Sequence, residues 1–278
     1  MSDKHSMSGG EAMIRAAQAN GISCIFGIPG AQIYPMFDAM YRLGIETIVT
    51  KHEQGAAYMA FGYAKATGKP SAFAVVPGPG VLNTTAALCT AMGANAPVLC
   101  LTGQVPSSYL GQGRGHLHEL KDQAGTLRTI IKDAYHISEP AQTSSTINEA
   151  FKTLLGNRPG PVSVEMCWDT MAQVYNDITI LPGNESIDQP PLDDDQITLA
   201  AKALAKANNP MIMCGAGAQH ASEEVLALAE LLQAPVTAFR SGRGVVSEDH
   251  ALGVSSVAAR ALFDEVDNEI EYHESTNI

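Results

Sequence analysis

Three short stretches of this chain hold residue types able to do chemistry. The first is Lys51-His52-Glu53-Gln54-Gly55-Ala56-Ala57, where an apolar, strand-like run gives way to a helix-like one. A carboxylate in the first turn of a helix complements the helix dipole, and that alone accounts for Glu53. The same carboxylate at the carboxyl end of a parallel strand stands where open α/β sheets build ligand sites. Among small apolar neighbours it would be buried, with a raised pKa, and able to share a proton with a ligand nitrogen. Spacing leaves both readings open. The second stretch, Pro77-Gly78-Pro79-Gly80-Val81-Leu82-Asn83, is another strand-to-helix turn. Its glycines let backbone approach a ligand and its helix start offers free N–H donors. It lacks the third glycine of a dinucleotide fingerprint, and Gly215-Ala216-Gly217 is equally well read as a tight turn.

The third is the glycine-spaced loop Gly111-Gln112-Gly113-Arg114-Gly115-His116-Leu117-His118-Glu119. Loops longer than their connection needs tend to be functional, so a mobile cover over an active-site mouth is expected here. His116 and His118 have no third placed ligand, and no metal site is expected. The chain contains no G-x-S-x-G elbow, no H-E-x-x-H and no Walker loop, which removes the commonest hydrolase and NTPase signatures.

The elements that must position these stretches alternate. Helices are expected at 8–20, 32–42, 53–67, 80–92 and 147–155, and strands at 23–26, 45–49, 71–76, 97–102 and 161–166. Short continuous apolar strands separated by helices imply a parallel sheet covered on both faces, a doubly wound α/β domain. It is assigned to residues 1–170. Pro182-Gly183-Asn184 and Pro190-Pro191 mark a linker over 171–192. A second, incomplete Rossmann-like α/β unit follows over 193–267, with helices at 196–207 and 220–232 and strands at 210–214 and 235–239. Residues 268–278 read as a divergent polar, acidic tail.

With 278 residues, 45% hydrophobic and 17% charged, the chain has the apolar material for sizeable cores and is not a disordered type. Its net charge of -12 disfavours nucleic acid as a partner. Cys24, Cys89, Cys100, Cys167 and Cys214 are odd in number, form no C-x-x-C pair and mostly sit in apolar runs. They are read as buried free thiols of a reducing compartment. Neither a signal-peptide core nor an apolar run near the ~20 residues of a membrane span is present, so a soluble cytoplasmic protein is expected.

Taken in order, Gly27-Ile28-Pro29-Gly30, His52-Glu53-Gln54-Gly55-Ala56-Ala57, Gly62-Tyr63-Ala64-Lys65-Ala66-Thr67-Gly68, Gly78-Pro79-Gly80 with Asn83, Thr102-Gly103-Gln104-Val105-Pro106 and Arg158-Pro159-Gly160-Pro161-Val162 resemble the thiamine-diphosphate enzymes of the acetolactate synthase (acetohydroxyacid synthase) group. The resemblance covers about residues 8–267 and is carried by the ordered set. It implies that residues 8 to about 170 are a pyrimidine-binding domain and that the central domain starts near 190. The glutamate matching Glu53 hydrogen-bonds N1′ of the cofactor's aminopyrimidine, driving the tautomer that deprotonates the thiazolium carbon. The substrate implied is a 2-keto acid such as pyruvate, decarboxylated and then passed to an acceptor. Pro29, Gly30, Pro79 and Asn83 match positions on the pyrimidine side, and Gln104 belongs to the same cofactor-binding set. Arg158 matches a position near the FAD of those members that keep one. The full-length form is expected to be a homodimer or homotetramer with active sites between subunits.

Two departures qualify the resemblance. Synthases of the group carry Phe-Gln-Glu where this chain has Leu117-His118-Glu119, which places His118 beside the reacting centre and leaves decarboxylase or lyase chemistry open. Members are also roughly twice as long and bind Mg2+ and the diphosphate through a later domain with a Gly-Asp-Gly motif, absent here. The chain is therefore expected to be inactive alone. The alternative is a non-catalytic, dimerising piece that binds no cofactor tightly. A dehydrogenase is disfavoured by the lack of a complete G-x-G-x-x-G.

Overall fold

The computed structural model describes residues 4–183, 191–261, 266 and 268–272. The chain divides into two units, residues 1–189 and 190–278. In the first, chain order is β1 (Lys4–Ser8), α1 (Gly9–Ala19), β2 (Cys24–Gly27), α2 (Tyr34–Leu43), β3 (Glu46–Val49), α3 (Glu53–Thr67), β4 (Ser71–Val75), α4 (Pro79–Gly93) and β5 (Val98–Gln104). It continues with α5 (Gln123–Arg128), β6 (Asp133–Ile137), α6 (Thr143–Leu155), β7 (Val162–Cys167), α7 (Trp168–Ala172) and β8 (Val174–Thr179).

Six strands form one parallel sheet in the order β3-β2-β4-β5-β7-β6. The central strands are apolar on both faces because both are covered. Ile25, Ala72, Ala74, Leu99 and Leu101 face a core shared with α1, α2 and α6. The residues between them, Phe26, Phe73, Val75, Val98 and Cys100, face a second core shared with α3, α4 and α5. Ala56, Ala57, Ala60 and Ala64 of α3 and Ala87 and Ala91 of α4 are buried in that second core, and these small side chains let both helices lie close against the sheet.

Ser8 caps α1 by accepting from Glu11 N at 3.1 Å, as a capping box requires. The Glu11 carboxylate does not complete the box. It pairs instead with Arg15 and with Arg42 of α2, both at 2.8 Å, tying the two helices together.

The expected first-domain boundary at 170 is too early. β8 lies inside the stretch read as a linker and pairs antiparallel with β1, burying Met7 and Ile178 in a small cluster with Ala12. A bulge hides this strand from pattern reading: the register slips between His5 and Met7, and Asp177 adopts φ 64°, so the period-two alternation breaks. The rest of that linker, 184–190, is outside the described residues.

The second unit holds α8 (Asp194–Leu204), β9 (Pro210–Cys214), α9 (Ser222–Leu232), β10 (Val236–Ala238), β11 (Gly253–Val254), α10 (Ser256–Ala259) and β12 (Asn268–Tyr272). Its four strands are parallel in the order β11-β10-β9-β12. Here the expectation of a tail from 268 is corrected. Residues 268–272 form a strand in register with β9, Asn268 opposite Pro210 and Tyr272 opposite Cys214. The sequence Asn-Glu-Ile-Glu-Tyr alternates in polarity, a pattern an edge strand tolerates despite its acidity. The remaining tail residues, 273–278, are outside the described set. No helix among the described residues is long and apolar enough to cross a membrane.

Candidate functional site

Strand order locates the site before any side chain does. From β2 the chain moves to β3 on one side and then to β4 on the other. In open parallel sheets such a reversal leaves a crevice at the carboxyl ends of the strands, where ligands bind. Two of the turns singled out from sequence, Gly27–Gly30 after β2 and the turn after β4, flank this reversal, and Glu53 follows β3 beside it.

Glu53 opens α3, whose N-cap is His52, with Nδ1 accepting from Gln54 N at 3.1 Å. Contrary to expectation Glu53 is not buried; it is half-exposed, because Lys51, His52 and Gln54 around it face solvent and the sheet ends short of it. Its Oε2 accepts a 3.0 Å hydrogen bond from Asn83 Nδ2 on α4. Among the described residues no hydrogen bond reaches Oε1. One carboxylate oxygen is thus held and the other is available to a ligand.

Pro29 and Pro79 are exposed. Gly30 has extended backbone (φ -161°), so conformation does not demand glycine there. Contact does: a Cβ would come within 2.3 Å of Val76 Cγ1. Gly78 is required twice over. Its φ is +64°, and a Cβ would lie 2.4 Å from the carbonyl oxygen of His118. The glycine-spaced loop is therefore seated on this turn.

That loop, expected to be a mobile cover, carries internal braces. The Glu119 carboxylate accepts from Gly113 N at 2.9 Å and His116 N at 2.8 Å. The N–H of His116 leads the loop donors that hold the Glu119 carboxyl below the usual carboxylate range. The His116 ring stacks on Tyr109 at 4.7 Å between centroids, while His118 Nδ1 meets Gln32 Oε1 at 3.1 Å. The two histidines thus have separate partners.

Gln104 is placed differently from the other predicted ligands. It is buried, with Oε1 accepting from Val105 N at 2.8 Å and Nε2 directed at Glu165 at 3.5 Å. The cause is Glu165, a carboxylate 4% exposed on β7 between β5 and the edge strand β6, which must be surrounded by donors. His136 Nδ1 meets it at 3.0 Å, and Gln123 Nε2 donates at 2.6 Å. Gln123 Oε1 in turn accepts from Gly78 N at 2.8 Å. These side chains line a cavity of about 250 Å³ with Asp122, Glu119 and Leu110. Sequence reading missed Gln32, Gln123, His136 and Glu165. Only Glu165 left a signal, a lone charge inside Val162-Ser163-Val164-Glu165-Met166-Cys167.

Arg158 is not brought to this site. It is exposed in the turn before β7, at the amino end of the sheet, where its carbonyl accepts from Lys132 Nζ at 2.8 Å. Of the cysteines, four are buried and Cys89 on α4 is exposed, which corrects the reading of mostly buried thiols at that one position.

Comparison with known proteins bears on this geometry. Residues 7–126 match the thiamine pyrophosphate enzyme N-terminal TPP binding domain, and residues 197–269 match the central domain of the same enzymes. The chain is 36% identical over 262 residues to a probable acetolactate synthase large subunit of Methanocaldococcus jannaschii, covering 90% of this chain and 43% of that protein. It is 34% identical to an acetolactate synthase of Arthrospira platensis, covering 90% of this chain and 45% of the relative. It is 32% identical to a probable 2-ketoarginine decarboxylase of Pseudomonas aeruginosa, covering 92% and 46%. The chain thus spans less than half the length of these relatives. On these matches and this fold, the chain belongs to the thiamine pyrophosphate enzymes, with their N-terminal and central domains.

Proposed function

We propose that the first unit supplies the aminopyrimidine half of a thiamine diphosphate site, in an enzyme that decarboxylates a 2-keto acid and either releases or transfers the product. The Glu53–Asn83 hydrogen bond at the strand reversal is the observation that carries this reading. The residues present fit the group. A half-exposed carboxylate has one oxygen held and one unbonded, and Gly30 and Gly78 keep the adjoining turns free of side chains. When bound, thiamine diphosphate would supply the nucleophilic carbon and the electron sink that decarboxylation of a 2-keto acid needs.

The chain's own residues have narrower tasks. Glu53 Oε1 exchanges a proton with a ring nitrogen of the cofactor. Asn83 fixes the rotamer of that carboxylate through Oε2. Pro29, Gly30 and Pro79 would form a wall for that ring. His118, seated on Gly78, presents an imidazole to the substrate side. The diphosphate and its Mg2+ would be held by the Gly-Asp-Gly domain that the family resemblance implies. Where a flavin is kept, Arg158 is its contact, apart from the Glu53 site. A second copy of the chain covers α3 and α4, whose Tyr58, Met59, Leu82 and Met92 are large apolar groups left exposed. Buried reduced thiols support a cytoplasmic setting.

The test is calorimetric titration of the chain with thiamine diphosphate and Mg2+, followed by turnover once the diphosphate-binding domain is supplied. The expected result is no detectable binding by the chain alone and turnover on reconstitution that Glu53→Gln cuts by about 10²–10⁴-fold with the fold intact. Near-normal turnover in that variant overturns the assignment.

A further inference from the structure

His118 and Gln32 meet in an arrangement that settles which ring nitrogen carries the proton. The Gln32 side chain belongs to a residue 2% exposed, beneath the glycine-spaced loop. Its Nε2 donates to the backbone carbonyl of Leu117 at 3.3 Å. A carbonyl can only accept, so the amide nitrogen must face Leu117 and the amide oxygen must face His118, and no amide flip is compatible with both contacts. That oxygen lies 3.1 Å from His118 Nδ1 and has no proton to give, so Nδ1 is the donor.

The backbone of His118 is held in place as well. His118 adopts φ 65°, a left-handed conformation sparsely populated by non-glycine residues, and its carbonyl fills the space that a Cβ on Gly78 would take. Gln32 is itself held, because Gly103 leaves room for its backbone: a Cβ there would come within 2.6 Å of Gln32 O.

We infer that Gln32 is a positioning residue that commits the neutral His118 ring to its Nδ1–H tautomer and leaves Nε2, with its lone pair, as the nitrogen offered to the substrate. Among the described residues no hydrogen bond reaches Nε2. This deepens the proposed function and rests on its placing of His118 at the substrate side. A group that accepts at Nε2, and donates there only after taking a proton, suits a substrate presenting a hydroxyl or a proton to be moved. The amide of a Phe-Gln-Glu loop has no site that takes up and returns a proton in this way.

The test needs no cofactor, so its failure is distinct from failure of the cofactor assignment. Long-range ¹H–¹⁵N correlation spectra of the ¹⁵N-histidine-labelled chain report the tautomer, with the His118 signals assigned by their loss in His118→Asn. The expected spectrum at alkaline pH shows a protonated Nδ1 and an unprotonated Nε2 for His118. Gln32→Met, of similar length, removes the acceptor and abolishes that preference. Gln32→Glu keeps an acceptor at Nδ1 but loses the donor to Leu117, and it retains the Nδ1–H tautomer. A native Nε2–H tautomer, or a tautomer unmoved by Gln32→Met, overturns the inference. So does loss of the preference in a folded Gln32→Glu chain.

Discussion

Asn83, four residues beyond Pro79 on α4, holds one oxygen of Glu53 at the start of α3, so two helices that follow different strands share a single carboxylate. The free oxygen of Glu53 owes its direction to that bond. Asn83→Ala is expected to leave stability within about 0.5 kcal/mol of the parent, since the pair is solvent-facing. It is expected to lower turnover of the reconstituted enzyme about tenfold, a loss of about 1.4 kcal/mol in transition-state stabilisation. Thermal melts and steady-state kinetics on the same preparation check both.

On the proposed function, His118 is expected to bear on the fate of the product more than on its formation. His118→Gln, which restores the amide of the Phe-Gln-Glu loop, is expected to change the ratio of released to transferred product while altering carbon dioxide release less. Parallel assay of carbon dioxide and of both products decides the point, and equal losses in both steps count against the assignment.

Gly78 and Gly44 make a matched pair. Both have positive φ, +64° and +68°, but a Cβ at Gly44 meets nothing within 4 Å while one at Gly78 strikes the His118 carbonyl. Gly44→Ala is expected to cost about 1 kcal/mol, the left-handed penalty alone. Gly78→Ala is expected to cost more than about 2 kcal/mol and to displace the His118 loop. Urea unfolding gives the energies, and the His118 ring resonances report the loop.

Cysteine reactivity follows burial. Burial pushes the Cys100 thiol up to about 12, and burial together with Asp169 and Glu165 does the same for Cys167, while burial also raises Cys24 and Cys214. Native chain kept dilute enough to be monomeric and treated with iodoacetamide at neutral pH is expected to take one label, on exposed Cys89, which a second copy over α4 would shield, and five labels only after denaturation. Peptide mass mapping identifies the site.

Glu11 makes folding acid-sensitive. Burial raises its carboxyl, but the hydrogen bonds from Arg42 and Arg15 outweigh burial and leave the net value below the ordinary one. A carboxyl lowered on folding contributes its full stabilisation above the unfolded-state value and loses it as pH falls through the folded-state value. Glu11→Gln is expected to destabilise by about 1–3 kcal/mol at neutral pH. The difference from the parent closes as pH drops below about 4. Denaturant titrations of both chains across that range measure it.

The doubly wound core was legible because Ile25-Phe26, Ala72-Phe73-Ala74-Val75 and Val98-Leu99-Cys100-Leu101 are unbroken apolar runs bounded by Gly and Pro. Edge and bulged strands were not. β6 reads Asp133-Ala134-Tyr135-His136-Ile137, half polar because it pairs on one side only, and β8 is interrupted at Asp177. At the site, the turns that hold Glu53 and Gly78 were legible from turn chemistry, and Asn83 entered through the family resemblance. Their exposure was not, because burial depends on where the strands stop. Gln32 and Gln123 are long-range partners, 86 and 45 residues from the groups they orient, and nothing local marks them.

Glu165 ties distant parts of the first unit together. One buried oxygen pair receives bonds from β5, α5 and β6, and through Gln123 it reaches the turn on which His118 is seated. Removing the carboxylate alone strands three donors, and removing any one donor exposes the charge. Glu165, Gln123, Gln104 and His136 therefore act as one unit: a substitution at any of them is expected to disturb the other three and, through Gln123, the Gly78 turn, so that its cost cannot be read from one contact alone.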